Sequence, residues 1–426
     1  MRVLLVNKFH YRKGGAETYY FTIGQELENL GHEVAYFSMK HPENVPCAQE
    51  KYFVTQREYN NVKNPLSAVR DGMALIYSHE AKRNFQALCE EFKPDVIHLN
   101  NVHRQITLSI LDAPYLQDHH VPVVYTAHDH VTVCPAYLMM DGEGKVCDRC
   151  VEDHKYRHCI EHKCVKGSRA KSTLAVAEAS FYRHHGSYKK IDVVIAPSEY
   201  MRAKLIEGGW PKDKVVARKN FASRDILERA KRDSASSGVS KNPYFLFFGR
   251  ISKEKGIDVL VDAFRIVAVE MPEWRLIIAG DGPERASLEE SLRGTDVSNR
   301  ISFVGFKRGG ELQDLISNAA FAVSGSRCRE NMPYSVIEAF AAGTPSVGSR
   351  IGGIPELICN GVTGFLCEPG DVSSMRVGLL SAAKLYSDVK GYQAMQSRCR
   401  GFVLEHCDQD EYMGALVALY ERLIHG

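Results

Sequence analysis

The chain has 426 residues and a mass of 47.8 kDa, too long for a single hydrophobic core and suited to two domains of about 200 residues each. Hydrophobic residues make up 44% and charged residues 25%, an ordinary globular balance. A net charge of +2 gives no reason to expect a nucleic-acid partner, and no run approaches the ~18 uninterrupted apolar residues that a membrane-spanning helix requires.

The first residues, MetArgValLeuLeuValAsn, are a short apolar run that soon meets HisTyrArgLysGlyGly, too short for a signal sequence and expected to be a first strand. Further β-rich runs are expected at Glu33–Ser38, Asp95–Leu99, Pro122–Ala127, Asp192–Pro197 and Val215–Asn220. Helical patterns lie between them at Glu17–Leu30, Glu80–Phe92, Ser172–His184 and Glu199–Gly208. A polar stretch over Arg224–Asn242 reads as a linker, placed at 223–243. The alternation restarts at Tyr244–Gly249 and continues through Arg275–Ala279, Ile301–Val304, Ala320–Ser324 and Thr344–Val347. Strands and helices in this order predict an α/β protein of two doubly wound Rossmann-like domains, 1–222 and 244–406, facing a central cleft, with a last helix at about 407–426 packing back on the first domain. Ligands of such sheets sit beyond the carboxyl ends of the strands.

The residues suited to chemistry fall at those strand ends. Gly14 and Gly15, in GlyGlyAlaGluThr, open the first helix and let backbone N–H groups approach a phosphate, although a plain tight turn explains them equally. Arg250 and Lys255, within the loop that begins at Gly249, place two cations beside a helix start, a receptor for a diphosphate. AlaGlyAspGlyPro, holding Gly280 and Asp281, is another strand-to-loop junction. In 324–347 two glutamates, Glu330 and Glu338, flank AsnMetPro, and Pro333 stands where a helix would begin. One carboxylate then meets the hydroxyls of a sugar and the other those of a ribose, with backbone amides around Asn331, Met332 and Pro333 facing phosphate. Glu338 lies in ValIleGluAlaPheAlaAla, an apolar run in which a carboxylate needs a partner.

The loop Gly249–Gly256, the AlaGlyAspGlyPro run and Glu-x7-Glu ending in GluAlaPheAlaAlaGlyThrPro closely resemble the retaining GT-B glycosyltransferases of family four, and GlyGlyAlaGlu and ThrAlaHisAspHis extend the resemblance over nearly the whole chain. The resemblance implies that the first domain takes the acceptor and the second the nucleotide sugar. It implies that Arg250 and Lys255 hold the diphosphate, Glu330 the donor hexose, Glu338 the ribose, and the backbone near Val304–Phe306 the nucleobase, and it places His128 near the anomeric centre. Where many members carry Gly-Phe-Gly after the first glutamate, this chain has AsnMetPro. The implied reaction moves a hexose-type sugar to a saccharide or lipid-linked saccharide acceptor in cell-surface polysaccharide or glycoconjugate synthesis. Configuration is retained, and no catalytic cofactor or metal is needed. The expected location, read from the lack of a signal-like segment or a spanning apolar run, is cytoplasmic. The alternative is a nucleotide-sugar-binding module without catalysis, stabilised by zinc.

Two features stand apart. Of the twelve cysteines, Cys147, Cys150, Cys159 and Cys164 cluster, with Cys134 just upstream and His154, His158 and His162 interleaved. A structural zinc site, a disulfide and reduced thiols all fit this spacing. From Lys155 to Lys190, nine Lys and Arg (155, 157, 163, 166, 169, 171, 183, 189, 190) face two acids (161, 178). Beside the apolar run at 174–182 they fit either peripheral contact with the inner membrane face, through 155–190, or a solvated helix face.

Overall fold

The computed structural model describes residues 1–57, 72–232 and 242–426. They form two compact units, Met1–Arg218 together with Glu411–Gly426, and Lys219–Asp410.

The first unit holds six parallel strands, β1 (Arg2–Val6), β2 (Glu33–Phe37), β3 (Val96–Leu99), β4 (Val123–Thr126), β5 (Val193–Ala196) and β6 (Val215–Ala217), in the order β2-β1-β3-β4-β5-β6. Helices α1 (Gly15–Asn29), α2 (His79–Phe92), α3 (Arg169–His185) and α4 (Glu199–Glu207) alternate with them. Every residue of β3, β4 and β5 is buried, so both faces of these strands are covered and the sequence reads as mostly apolar runs, interrupted by His98 and Thr126, instead of alternation. Helix starts carry hydroxyl caps: Ser78, Ser168 and Ser198 accept from the amides of Ala81, Lys171 and Met201.

The second unit begins with α5 (Arg224–Arg232), followed by β7 (Tyr244–Phe248), α6 (Ile257–Glu270), β8 (Arg275–Ala279), α7 (Arg285–Leu292), β9 (Ile301–Gly305), α8 (Gly309–Ser317), β10 (Phe321–Ser324), α9 (Tyr334–Ala341), β11 (Ser346–Ser349), β12 (Gly364–Cys367), α10 (Val372–Ser387) and α11 (Val389–His406). Its sheet, also all parallel, runs β12-β11-β10-β7-β8-β9. The stretch read as a linker is helical over Arg224–Arg232, because Leu227 and Ala230 stand one turn apart and bury into the core of this unit. The rest of that stretch, 233–241, lies outside the described residues.

The last helix, α12 (Gln409–His425), starts in the second unit and belongs to the first from Glu411 onward. Its attachment is polar and buried. Tyr412 Oη lies 2.7 Å from Tyr19 Oη, and Tyr420 Oη lies 2.5 Å from Nδ1 of His98 in β3. The other nitrogen of His98 meets Thr126 Oγ1 at 2.7 Å. Burial holds the His98 pKa down to about 3, so the ring is neutral and both its nitrogens are satisfied. Among the described residues no helix is long and apolar enough to cross a membrane.

Candidate functional site

In the second unit the strand order reverses between β7 and β10, and this switch point is where doubly wound sheets bind ligands. Two loops leave the carboxyl ends there, 249–256 after β7 and 325–333 after β10. Glycine is required for them to meet. A Cβ on Gly256, which has φ +65°, would lie 2.0 Å from the carbonyl oxygen of Gly325. The neighbouring 280–282 loop is tied in the same way: Gly280 has φ +146° and a Cβ there would lie 1.9 Å from the oxygen of Gly249.

These loops bring Lys255 and Glu330 together. Lys255 Nζ donates to Glu330 Oε1, which also accepts from Ser326 Oγ at 2.7 Å. Burial alone would push the Glu330 carboxyl up, but the Lys255 charge and hydrogen bonds outweigh it, and the pKa lies below the ordinary value. Burial likewise opposes the charged form of Lys255, and Glu330 more than offsets it, so the lysine pKa is raised. Both partners are therefore ionised at neutral pH. Arg250 is exposed at the start of the same loop as Lys255 and has no hydrogen bond or ion pair among the described residues. An ionised carboxylate and a shared ammonium thus meet beyond the strand ends, and the loop that carries the ammonium also carries an uncommitted guanidinium.

Pro333 caps α9, and Glu338 falls in the second turn of that helix. Its neighbours Val336, Ile337, Ala339 and Phe340 are buried, while Glu338 is half-buried and its carboxylate has no partner among the described residues. Burial raises its pKa to about 7. A carboxylate in this condition is set to accept from a ligand's hydroxyls. Asn331 is buried, and the Met332 side chain is 4% exposed and packs in the core, which leaves its backbone as the part of the residue that a ligand can meet. That backbone oxygen accepts from Asn220 Nδ2 at 3.0 Å. Asp281 is exposed and accepts from the amide of Gly282 at 2.7 Å. Val304 is partly buried at the end of β9, and Phe306 just beyond is 65% exposed.

In the first unit the order reverses between β1 and β3. Asn7 follows β1, and its Nδ2 donates to Glu17 Oε1 at 3.3 Å, while its Oδ1 accepts from the amide of Asn101 at 3.1 Å. Gly14 precedes α1 in extended backbone, and Gly15 begins it, both exposed, so the first turn is open above this pair. His128 lies two residues past β4. Its Nε2 donates to Asn100 Oδ1 at 2.8 Å, Tyr19 packs edge-on at 5.1 Å between ring centres, and burial lowers its pKa to about 3. The ring is neutral and fixed, with Nδ1 left as a lone pair.

Beside His128 lies a charge cluster that sequence reasoning missed. Lys8, Arg104, Asp129 and Glu178 come from four separate elements; Arg104 Nε sits 3.5 Å from Glu178 Oε2. Burial raises Glu178 to about 7 against the pull of Arg104. Asn7, Asn100 and Ser326 were missed as well. Their common signal, a polar residue within two positions of the carboxyl end of a mostly apolar strand, is legible once the strand ends are known.

The apolar run at 174–182 faces inward: Ala175, Ala179 and Tyr182 belong to the core of the first unit. Of the basic residues, Lys190 pairs with Asp112, and Arg183 stacks on Tyr156 at 4.3 Å, while Lys163, Lys166, Arg169 and Lys171 are exposed. Cys134, Cys147, Cys150, Cys159 and Cys164 gather around one small cavity in the same unit.

Two Rossmann-like units with these strand-end constellations define a GT-B protein. The glycosyltransferase family 4 model matches residues 13–221, and the glycosyl transferases group 1 model matches 229–395. The chain belongs to the family-four GT-B glycosyltransferases. It is 27% identical over 234 residues, 54% of this chain and 59% of the relative, to N-acetyl-alpha-D-glucosaminyl L-malate synthase of Bacillus anthracis. It is 23% identical to an uncharacterized 42.6 kDa protein in the cps region of Klebsiella pneumoniae, over 84% of this chain and 87% of that one. The crystal structure of Anabaena Alr3699/HepE in complex with UDP shares the fold with a TM-score of 0.63, at 18% identity over 99% of this chain and 100% of that one. The chain spans about half the length of the first curated relatives it matches.

Proposed function

We propose that the protein is a retaining glycosyltransferase that moves a hexose-type sugar from a nucleoside diphosphate to a saccharide or lipid-linked saccharide acceptor, in cell-surface polysaccharide or glycoconjugate synthesis. The observation that carries the reading is the ionised Lys255–Glu330 pair at the switch point, with Arg250 uncommitted in the same loop as Lys255 and Glu338 unpartnered among the described residues on α9. In this reading Lys255 and Arg250 hold the diphosphate oxygens, where charge grows as the bond to the sugar breaks. Glu330 accepts from hexose hydroxyls and Glu338 from the ribose. The acceptor hydroxyl attacks from the face the diphosphate leaves, and its proton passes to the departing phosphate oxygen, so no metal or protein nucleophile enters. His128, neutral and held by Asn100, acts by position and hydrogen bonding near the reacting carbon.

The UDP complex of the solved relative supports a nucleotide donor, and the cps-region relative supports a polysaccharide context. A cytoplasmic location with contact at the inner membrane face is part of the proposal. That contact rests on Lys163, Lys166, Arg169 and Lys171 alone, because the apolar side of α3 is buried. The test is a panel of nucleotide sugars incubated with purified protein, reading nucleoside diphosphate release and the anomeric configuration of the product by NMR. Release with a retained anomer is expected. An inverted product overturns the mechanism, and no release and no thermal shift with any donor overturns the enzyme reading.

A further inference from the structure

The segment between β4 and α3 is built unlike the rest of its unit. Over more than forty residues its helices are Arg149–Glu152 and Arg157–Glu161, too short to carry an apolar stripe of their own. Five non-glycine residues in it take left-handed backbone: Tyr137, Met139, His154, Lys163 and Lys166 have φ between +49° and +57°. Each such residue costs on the order of 1 kcal/mol and persists only where the surroundings fix it. Short elements and strained turns need a staple.

The same segment closes around a cavity of about 10 Å³ lined by Cys134, Cys147, Cys150, Cys159 and Cys164, all free thiols, together with Met140, Asp148 and Val151. That is the room of a single ion or water. Cys134, Cys150 and Cys159 are buried, while Cys147 and Cys164 are half-buried. Their backbones are pinned: the amides of Cys134, Cys147 and Cys164 donate to the oxygens of His130, Met139 and Cys159 at 2.7, 2.9 and 3.0 Å. Asp148, the acid at the rim, is taken by Lys204 at 3.1 Å. A void lined largely by cysteines gains little from dispersion, whereas four thiolates drawn to ~2.3 Å around one cation would fill it.

We propose that this cavity is a structural zinc site, held by the Cys147-x2-Cys150 pair and two further thiolates from Cys134, Cys159 and Cys164. Four thiols lose their protons to solvent as the ion binds, and no electron moves. Thiolates select zinc over calcium or magnesium, and a closed set of four fits a structural ion, with no position open to substrate. A rival set lies nearby: His158, Glu161 and His162 offer ligand atoms within 4.8 Å of one another. His158 is already engaged by Asp153 at 2.7 Å and Glu161 at 3.2 Å, and His162 faces the Arg149 guanidinium, so that group is satisfied without an ion. The ion would cross-link the stretch that follows His128 to the start of α3. It would thereby fix Asp129 and its charged neighbours, a role separate from donor binding.

The experiment is elemental analysis of untagged protein grown with zinc and purified without added metal. About one zinc per chain is expected, released in step with modification of the thiols by a mercurial. Cobalt substituted for it should show intense visible bands and thiolate charge transfer, the signature of tetrahedral sulfur ligation. Cys147→Ser with Cys150→Ser should lose the metal and lower the melting temperature, whereas Cys47→Ser with Cys359→Ser should keep both. Should the first double variant not fold, the cobalt spectrum of the native chain decides alone. A zinc ratio near zero, a disulfide found in the segment by mass spectrometry, or zinc kept in the Cys147/Cys150 variant would each overturn the proposal.

Discussion

Glu330→Gln separates the two tasks of one carboxylate. In the native chain Glu330 faces Lys255 and accepts from Ser326, with 15% of its side chain exposed against 33% for the lysine. Glutamine keeps the shape and an oxygen for Ser326 but removes the charge opposite the ammonium. Losing one partner of a sheltered pair costs about 1–2 kcal/mol here, less than for a fully buried pair because the lysine reaches water. For a unit of this size that is a fall of about 2–8 °C in melting temperature. Turnover should fall further. Hydrogen bonds from hexose hydroxyls to an ionised acceptor are worth about 1.5–3 kcal/mol, roughly 10- to 160-fold in kcat/KM. Bare nucleoside diphosphate should respond in the opposite direction. With Glu330 neutral, Lys255 is no longer shared and a like charge leaves the vicinity of the phosphates, so Kd tightens a few-fold. Calorimetry with nucleoside diphosphate and steady-state kinetics on one preparation give both quantities. If nucleotide affinity drops in parallel with turnover, Glu330 is not the hexose contact.

Glu338 carries the pH dependence. Its folded pKa of about 7 lies above the ordinary 4.5, so the native state holds a proton that the unfolded chain has lost, and stability should decline as pH rises between those values. A ribose that donates to the carboxylate favours its ionised form, so nucleotide binding should tighten from pH 6 to 8 in the native protein more than in Glu338→Gln; equal slopes by calorimetry would remove the ribose assignment. His128→Ala should spare nucleotide affinity and cut turnover roughly ten- to thousand-fold; a less stable but fully active variant would remove His128 from the site. Because burial keeps its pKa near 3, His128 should contribute no inflection to the rate profile between pH 5 and 9. Tyr420→Phe leaves buried His98 Nδ1 unpaired and should cost about 1–3 kcal/mol in denaturant unfolding, with little change in donor affinity; no loss would mean the contact adds nothing. Activity should survive a chelator that strips magnesium and manganese, since protein cations hold the leaving group in the proposed mechanism.

Much of the site was legible because the chain announces strand ends. Gly249, Gly280 and the pair Glu330 and Glu338 sit directly after or near apolar runs; both glycines have positive φ, and at Gly280 a close backbone contact also excludes any side chain. The side-chain direction of Met332 was not legible: its place in the motif says nothing about it, and only the fold shows that it turns into the core. The linker reading failed over Arg224–Arg232 because charged residues outnumber apolar ones there, yet two small apolar contacts one turn apart suffice once a core stands opposite.

The sequence by itself determined the alternation of strands and helices, the two sheets and the loops that carry chemistry, since hydrophobic period and glycine placement are local properties of the chain. Tertiary structure decided which charges meet. Lys255 and Glu330 are 75 residues apart in sequence, and Tyr420 reaches His98 across 322. Strand order, through the crossover that sets β7 beside β10, creates the first pair, and the return of α12 onto the first unit creates the second. The protonation states follow from it. A carboxylate paired with Lys255 stays ionised, one left alone in an apolar helix rises to about 7, and no reading of residue types can tell Glu330 from Glu338 before burial and partners are fixed.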